Sequence, residues 1–123
     1  MDKKLQDSLS KIKLLICDID GVLTDGSFIK STSGDELRSF NALDGVGFVM
    51  LRLLNLNIKT AWITGRESLT TTQRAEELQI DDVYNGVIRK IDAYDELKKK
   101  YGVLDNEVCF IGDDIIDLSL IHI

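Results

Sequence analysis

Three apolar runs and one short strand segment, each passing into an acid, a threonine or an Asn-Gly turn, constrain the fold of this chain more than any other feature. They are KLLICDI (13–19), IKTAWIT (58–64), a short run near Asp82 to Tyr84, and EVCFI (107–111). Continuous runs of this length suit strands buried on both faces of a sheet. Segments with helical spacing separate them. Apolar residues at 46, 49, 50, 53 and 54 predict a helix with Asp44 as its N-cap. Leu69, Ala75 and Leu78 share one side of a helix over 67–79, and Ile91, Tyr94, Leu97 and Tyr101 one side of a helix over about 90–101. Leu5 and Leu9 suggest a short amphipathic lead-in over 3–11. The segment 27–40 (SFIKSTSGDELRSF) differs: two partly alternating pieces flank Ser-Thr-Ser-Gly-Asp, which reads as a β-hairpin.

Strands alternating with helices predict an α/β fold with a parallel sheet and right-handed crossovers. At 123 residues the chain fits one domain, 1–123, with the hairpin 27–40 as a small flap. Ligands of such sheets bind beyond the carboxyl ends of the strands. That rule selects Asp18 and Asp20, then Thr64, then Asn85-Gly86, then Asp113 and Asp114, with Asp117 close behind. Two carboxylates about 4 Å apart repel by roughly 4 kcal/mol at an effective dielectric of 20, against a whole-domain stability of about 5–15 kcal/mol. A cation among these acids resolves the conflict, and an all-oxygen set suits Mg²⁺. Thr64-Gly65-Arg66, read as the opening of a helix, offers backbone amides, a hydroxyl and a guanidinium to an anion. Lys90, at the start of the next helix, opposes the macrodipole and so needs a negative partner.

Several classes are excluded. A net charge of −6 argues against a duplex nucleic-acid binder. No run reaches membrane-spanning length and no signal-peptide core precedes the first strand, so the reading is a cytoplasmic protein with no membrane partner. Cys17 and Cys109 lie inside apolar runs without CxxC spacing and read as buried thiols. The single histidine, His122, excludes a zinc site or a histidine-based triad. Gly45-Val46-Gly47 lacks the third glycine and the preceding strand of a dinucleotide loop. A signalling receiver domain would place its phosphorylated Asp at the end of a mid-chain strand, where this chain has Thr64, and has no role for GDDxxD.

Together these residues resemble the haloacid dehalogenase superfamily of phosphotransferases. Its DxDGxxTD motif matches Asp18, Asp20, Gly21, Thr24 and Asp25. Its Thr after a strand matches Thr64, its Lys matches Lys90, and its GDDxxD matches Gly112, Asp113, Asp114 and Asp117. The runs GDELRSFNALDGVG, ITGRES and YNGVIRK, with a hairpin in place of a cap domain, look like the 3-deoxy-D-manno-octulosonate 8-phosphate (KDO 8-phosphate) phosphatases. Phosphatases of nine-carbon sialic-type acids and phosphatase-like modules of acylneuraminate cytidylyltransferases are similar. The resemblance implies a Rossmann-like fold and a Mg²⁺-dependent phosphomonoesterase acting on a small sugar acid phosphate. It implies Asp18 as nucleophile, Asp20 as general acid and base, and Thr64 and Lys90 as phosphoryl ligands. Asp18, Asp20 (through its carbonyl) and Asp113 would hold the metal, with Asp114 and Asp117 behind them. Arg66, Gly65, Asp44 and Gly45 are the expected substrate contacts. The family further implies a homotetramer with hairpins packed at its centre. Its members usually run on past GDDxxD through another strand, a helix and a tail. Ending at LSLIHI, this sequence is expected to lack that edge of the sheet.

Overall fold

The computed structural model describes residues 1–113. In chain order the elements are α1 (Lys3–Leu9), β1 (Leu14–Cys17), β2 (Ile29–Lys30), β3 (Glu36–Leu37), α2 (Ala42–Leu53), β4 (Lys59–Ile63), α3 (Leu69–Leu78), β5 (Asp82–Tyr84), α4 (Lys90–Tyr101) and β6 (Val108–Ile111). A 3₁₀ turn at Asp105–Glu107, which the sequence pattern does not reveal, leads into β6. Four strands form a parallel sheet in the order β5-β4-β1-β6, and β2 pairs with β3 as the expected antiparallel hairpin. The chain moves from β1 out to β4 and β5, then returns to β6 on the other side of β1. The reversal therefore falls beside β1, where α/β sheets hold their ligands.

Both sheet faces are covered, which is why the central strands read as unbroken apolar runs. Leu14 and Ile16 of β1 and Ala61 and Ile63 of β4 pack against Ala93, Tyr94 and Leu97 of α4. On the other face Cys17 and Trp62 meet Phe48 of α2 and Ala75 of α3. The Trp62 ring stacks on Phe40 at 6.3 Å and takes the edge of Phe48 at 5.6 Å. This aromatic cluster fastens the segment after the hairpin to the sheet. Burial pushes the Cys17 thiol up to about 12, as expected of a thiol acting as a small hydrophobe.

Four helical expectations need correction. The N-cap of α2 is Asn41, whose side chain accepts from the Leu43 amide at 2.8 Å; Asp44 lies in the first turn. An N-cap needs extended backbone just before the helix, and Asn41 has it. The buried side of α2 carries Gly45 and Phe48, while Val46, Met50, Leu53 and Leu54 are exposed. On α3 the inner stripe is Thr71, Ala75 and Leu78, with Leu69 exposed at the first position. α3 begins at Leu69, capped by Ser68, so Thr64-Gly65-Arg66 is a loop and not a helix start.

The connection from α4 to β6 is tied down by carboxylates. Asp105 accepts from the Tyr94 hydroxyl at 2.8 Å and from Lys98. Glu107 accepts from Lys13 and from the Leu104 amide. Hydrogen bonding from Lys98 and Tyr94 holds Asp105 below the usual range, and hydrogen bonding from Lys13 and Leu104 does so for Glu107. A carboxylate with a lowered folded value stabilises the fold above its unfolded value and loses that effect as pH falls through the folded one. Thermal melts are therefore expected to hold steady down to about pH 5 and decline below about pH 4. A double substitution, Asp105→Asn with Glu107→Gln, should flatten that decline. An unchanged slope would contradict this origin.

Candidate active site

The turn after β1 is built to expose carboxylates. The ladder from β6 continues one residue past the strand, because the Asp18 amide donates to the Ile111 carbonyl at 2.9 Å. The Thr24 hydroxyl is buried and accepts from the amides of Gly21 (3.4 Å) and Gly26 (3.2 Å), closing the loop on itself. Gly21 has a φ of +88°, and a Cβ there would lie 1.8 Å from Oδ2 of Asp113. Glycine is thus required twice over: for the backbone conformation and for the room that brings the Asp113 carboxylate against the DxD turn.

Asp18 is 5% exposed and Lys90 is 7% exposed, and Nζ of Lys90 lies 3.1 Å from Oδ2 of Asp18. This is the negative partner that a lysine at the first position of α4 requires. Oδ1 of Asp18 accepts from the Ile19 amide at 2.8 Å. Thr64, at the end of β4 and 1% exposed, donates from Oγ1 to Oδ2 of Asp20 at 3.3 Å; the Arg66 amide donates to the same hydroxyl at 3.2 Å. Four residues from three elements thus meet at the carboxyl edge of the sheet: Asp18, Asp20, Thr64 and Lys90.

Sequence reasoning missed Arg38. It follows β3 in the hairpin, its side chain is wholly buried, and its Nε donates to Oδ1 of Asp20 at 2.8 Å. The sequence carries no signal for it, because a lone arginine in a hairpin reads as solvated. Glu36 is half-buried, Leu37 is exposed and the Arg38 side chain is inside, so this strand turns Glu36 and Arg38 inward and Leu37 outward, while Lys30 and Asp35 stay exposed. Arg66, an expected substrate contact, lies against this hairpin: its guanidinium sits 3.9 Å above the Phe28 ring and 3.4 Å from Oε1 of Glu36.

Other expected site residues are distributed less uniformly. Asp44 borders a cleft with Thr24, Asp25 and Asn41, beside the DxD turn. Gly45 packs against α3, where a Cβ would lie 2.7 Å from the Arg74 guanidinium. Gly65 faces the Val87 carbonyl in the loop leading to α4. Asp114 and Asp117 lie outside the described residues. Among the described residues no three acidic, histidine or cysteine side chains form a metal cluster. The expected donors, the Asp18 and Asp113 carboxylates and the Asp20 main-chain carbonyl, are all oxygen, a chemistry that fits a hard divalent cation. The room at Gly21 for the Asp113 carboxylate fits the same group.

No family model matches the sequence. The chain is 41% identical over 108 residues to the 3-deoxy-D-manno-octulosonate 8-phosphate phosphatase KdsC of Yersinia pestis, covering 88% of this chain and 57% of that one. It superposes with a TM-score of 0.90 and 35% identity on the Moraxella catarrhalis 3-deoxy-D-manno-octulosonate 8-phosphate phosphatase in complex with magnesium, phosphate and KDO, covering 97% of this chain and 67% of that one. A cobalt-bound form of the deoxy-D-mannose-octulosonate 8-phosphate phosphatase of Haemophilus influenzae matches with a TM-score of 0.83 and 37% identity, over 90% of this chain and 64% of that one. The chain belongs to the KDO 8-phosphate phosphatase family of the haloacid dehalogenase superfamily. It spans little more than half the length of the curated relatives it matches. Among the described residues no helix is long and apolar enough to cross a membrane.

The buried Asp18–Lys90 pair sets a test for this family member. Removing one partner of a buried pair weakens the compensation of the charge that stays, at a cost of up to about 3–5 kcal/mol. Lys90→Met and Asp18→Asn should each lower the thermal midpoint, and the double variant should regain most of the loss. Additive losses in the double variant would show that the pair is not coupled.

Proposed function

We propose that the protein hydrolyses a phosphomonoester of a small sugar acid, KDO 8-phosphate first among them, through an aspartyl-phosphate. The observation that carries this reading is the junction of Asp18, Lys90, Asp20 and Thr64 at the strand ends. It joins a nucleophile to a fixed cation, and a proton carrier to a hydroxyl. The name of the magnesium- and phosphate-bound relative supports the same chemistry.

Asp18, held by Lys90 and the Ile19 amide, attacks phosphorus with one carboxylate oxygen. The bond from phosphorus to the ester oxygen breaks, and that oxygen takes a proton from Asp20. A water then loses a proton to Asp20, attacks the same phosphorus and releases Asp18. Lys90 and the Thr64 hydroxyl receive the phosphoryl oxygens as charge grows on them. Thr64 has one hydroxyl proton, committed to Asp20 in this structure, so binding of phosphate turns it away and leaves Oδ2 for the leaving group. Magnesium, held by Asp18, Asp113 and the Asp20 carbonyl, would neutralise the phosphoryl oxygens and so favour attack by a carboxylate. Arg66 is suited to the substrate carboxylate or to phosphate, and Asp44 to the sugar hydroxyls. Asp114 and Asp117 would orient Lys90 and metal-bound water. A homotetramer built on the hairpins is part of this reading.

Phosphate release from KDO 8-phosphate, a nine-carbon sialic-type 9-phosphate and an aryl phosphate, with and without Mg²⁺, tests it. Mg²⁺-dependent release, highest with KDO 8-phosphate, is expected. Preference for the nine-carbon ester would reassign the substrate, and no release from any ester would contradict the reading. Asp18→Asn should lower turnover by at least about 10⁴-fold while the protein still folds.

A further inference from the structure

The hairpin does more than flank the site. Arg38 is a charged side chain with no exposure at all, carried on a two-stranded ribbon whose remaining residues are mostly exposed. Burying a guanidinium is costly unless it is paired. Its Nε is satisfied by Oδ1 of Asp20 at 2.8 Å, whereas Nη1 and Nη2 have no hydrogen-bond partner among the described residues; Nη2 lies 3.8 Å from Oε2 of Glu36. Among the described residues the one hydrogen bond that compensates the Arg38 guanidinium is thus this short, charge-assisted contact with Asp20, with Glu36 adding a longer ion pair. Asp20 is the proposed proton carrier.

The contact distinguishes the two oxygens of Asp20. A guanidinium N–H can only donate, so an oxygen that receives it is an acceptor and cannot at the same time present a proton along that line. Among the described residues the other oxygen, Oδ2, receives the Thr64 hydroxyl, a group that can rotate and either donate or accept. We propose that Arg38 is a positioning residue for Asp20: it fixes the carboxyl group through Oδ1, so that the transferable proton travels on Oδ2, beside Thr64 and the phosphoryl site. This rests on the phosphatase reading and deepens it. When the bond from phosphorus to the ester oxygen breaks, the electron pair stays on that oxygen, which takes the proton from Oδ2. In the second step Oδ2 takes a proton from the attacking water, while Oδ1 stays bound to Arg38 throughout. The hairpin and the proton transfer are thereby one device, since displacing the hairpin withdraws the group that aims Asp20.

A positioning role of this kind has a signature that simple damage to the fold lacks. Esters with poor leaving groups need the proton, whereas a nitrophenolate leaves without it. The measurement is kcat and KM for an alkyl or sugar acid phosphate and for 4-nitrophenyl phosphate, in the unsubstituted protein, Arg38→Met and Arg38→Lys. Inhibition by inorganic phosphate reports whether the phosphoryl site persists. Arg38→Met is expected to lower kcat for the alkyl ester by about 100-fold or more. For the nitrophenyl ester the fall should be less than about 3-fold, with phosphate inhibition retained. Arg38→Lys, which keeps a donor but not the planar fork, should show the same split more weakly, and it carries the test if the methionine variant does not fold. Equal losses on both esters, or no loss on either, in a protein whose unsubstituted form is active, overturn the inference alone. Inactivity of the unsubstituted protein on every ester overturns the phosphatase reading, and the inference with it.

Discussion

The buried pair between Asp18 and Lys90 is the constraint on which the rest of the site depends. Each side chain is almost out of water, and each would be expensive there alone. The pair is possible only because the sheet delivers Asp18 beyond β1 and α4 begins at Lys90, over the same edge. It also explains a local oddity of α4, a lysine at a position where the helix dipole disfavours a cation. The penalty is offset by a carboxylate from the adjacent strand. Chemistry and fold therefore draw on one arrangement. The charge that would serve a phosphoryl group in the proposed reaction is the same charge that makes the burial of Lys90 require a carboxylate.

A second layer of charge closes over the first. Asp20 is held between Thr64 from β4 and Arg38 from the hairpin, and Glu36 lies within reach of both Arg38 and Arg66. Opposite charges alternate through this group, from Asp20 to Arg38 to Glu36 to Arg66, and the stack of Arg66 on Phe28 anchors its far end. A hairpin with only two ladder pairs is marginal alone. Its inward charges, Glu36 and Arg38, give it a fixed seat on the sheet edge, beside the candidate active site.

Much of this was legible in the sequence because strand ends in α/β sheets are where polar residues must emerge. The boundaries of β4, β5 and β6 fall within a residue or so of the apolar runs, and the switch to Asp, Thr or Gly marks the edge. What was illegible follows from physics that a one-dimensional pattern does not carry. Helix α2 has apolar residues on more than one side, so periodicity alone could not tell that Gly45 and Phe48 face inward while Val46, Met50 and Leu53 face outward. Leu69 looked like core, yet the buried stripe of α3 includes Thr71, a polar residue that the apolar count passes over. The ITGR segment suggested a helix start, but Ser68 supplies a better cap four residues beyond Thr64. Arg38 was invisible because a lone arginine in a hairpin reads as solvated. Only its burial against Asp20 separates it from Arg89, which is exposed and pairs weakly with Asp92.

The central claim is that Asp18 forms a covalent bond to phosphorus within the turnover of a phosphomonoester. The most direct test is to quench the protein in acid during turnover of KDO 8-phosphate with Mg²⁺ and locate the phosphoryl mass by peptide mass spectrometry. The account predicts an acid-stable, base-labile phosphoryl group on Asp18 that disappears when substrate is exhausted. A phosphoryl group on another residue, or turnover with none at any time point, would contradict it.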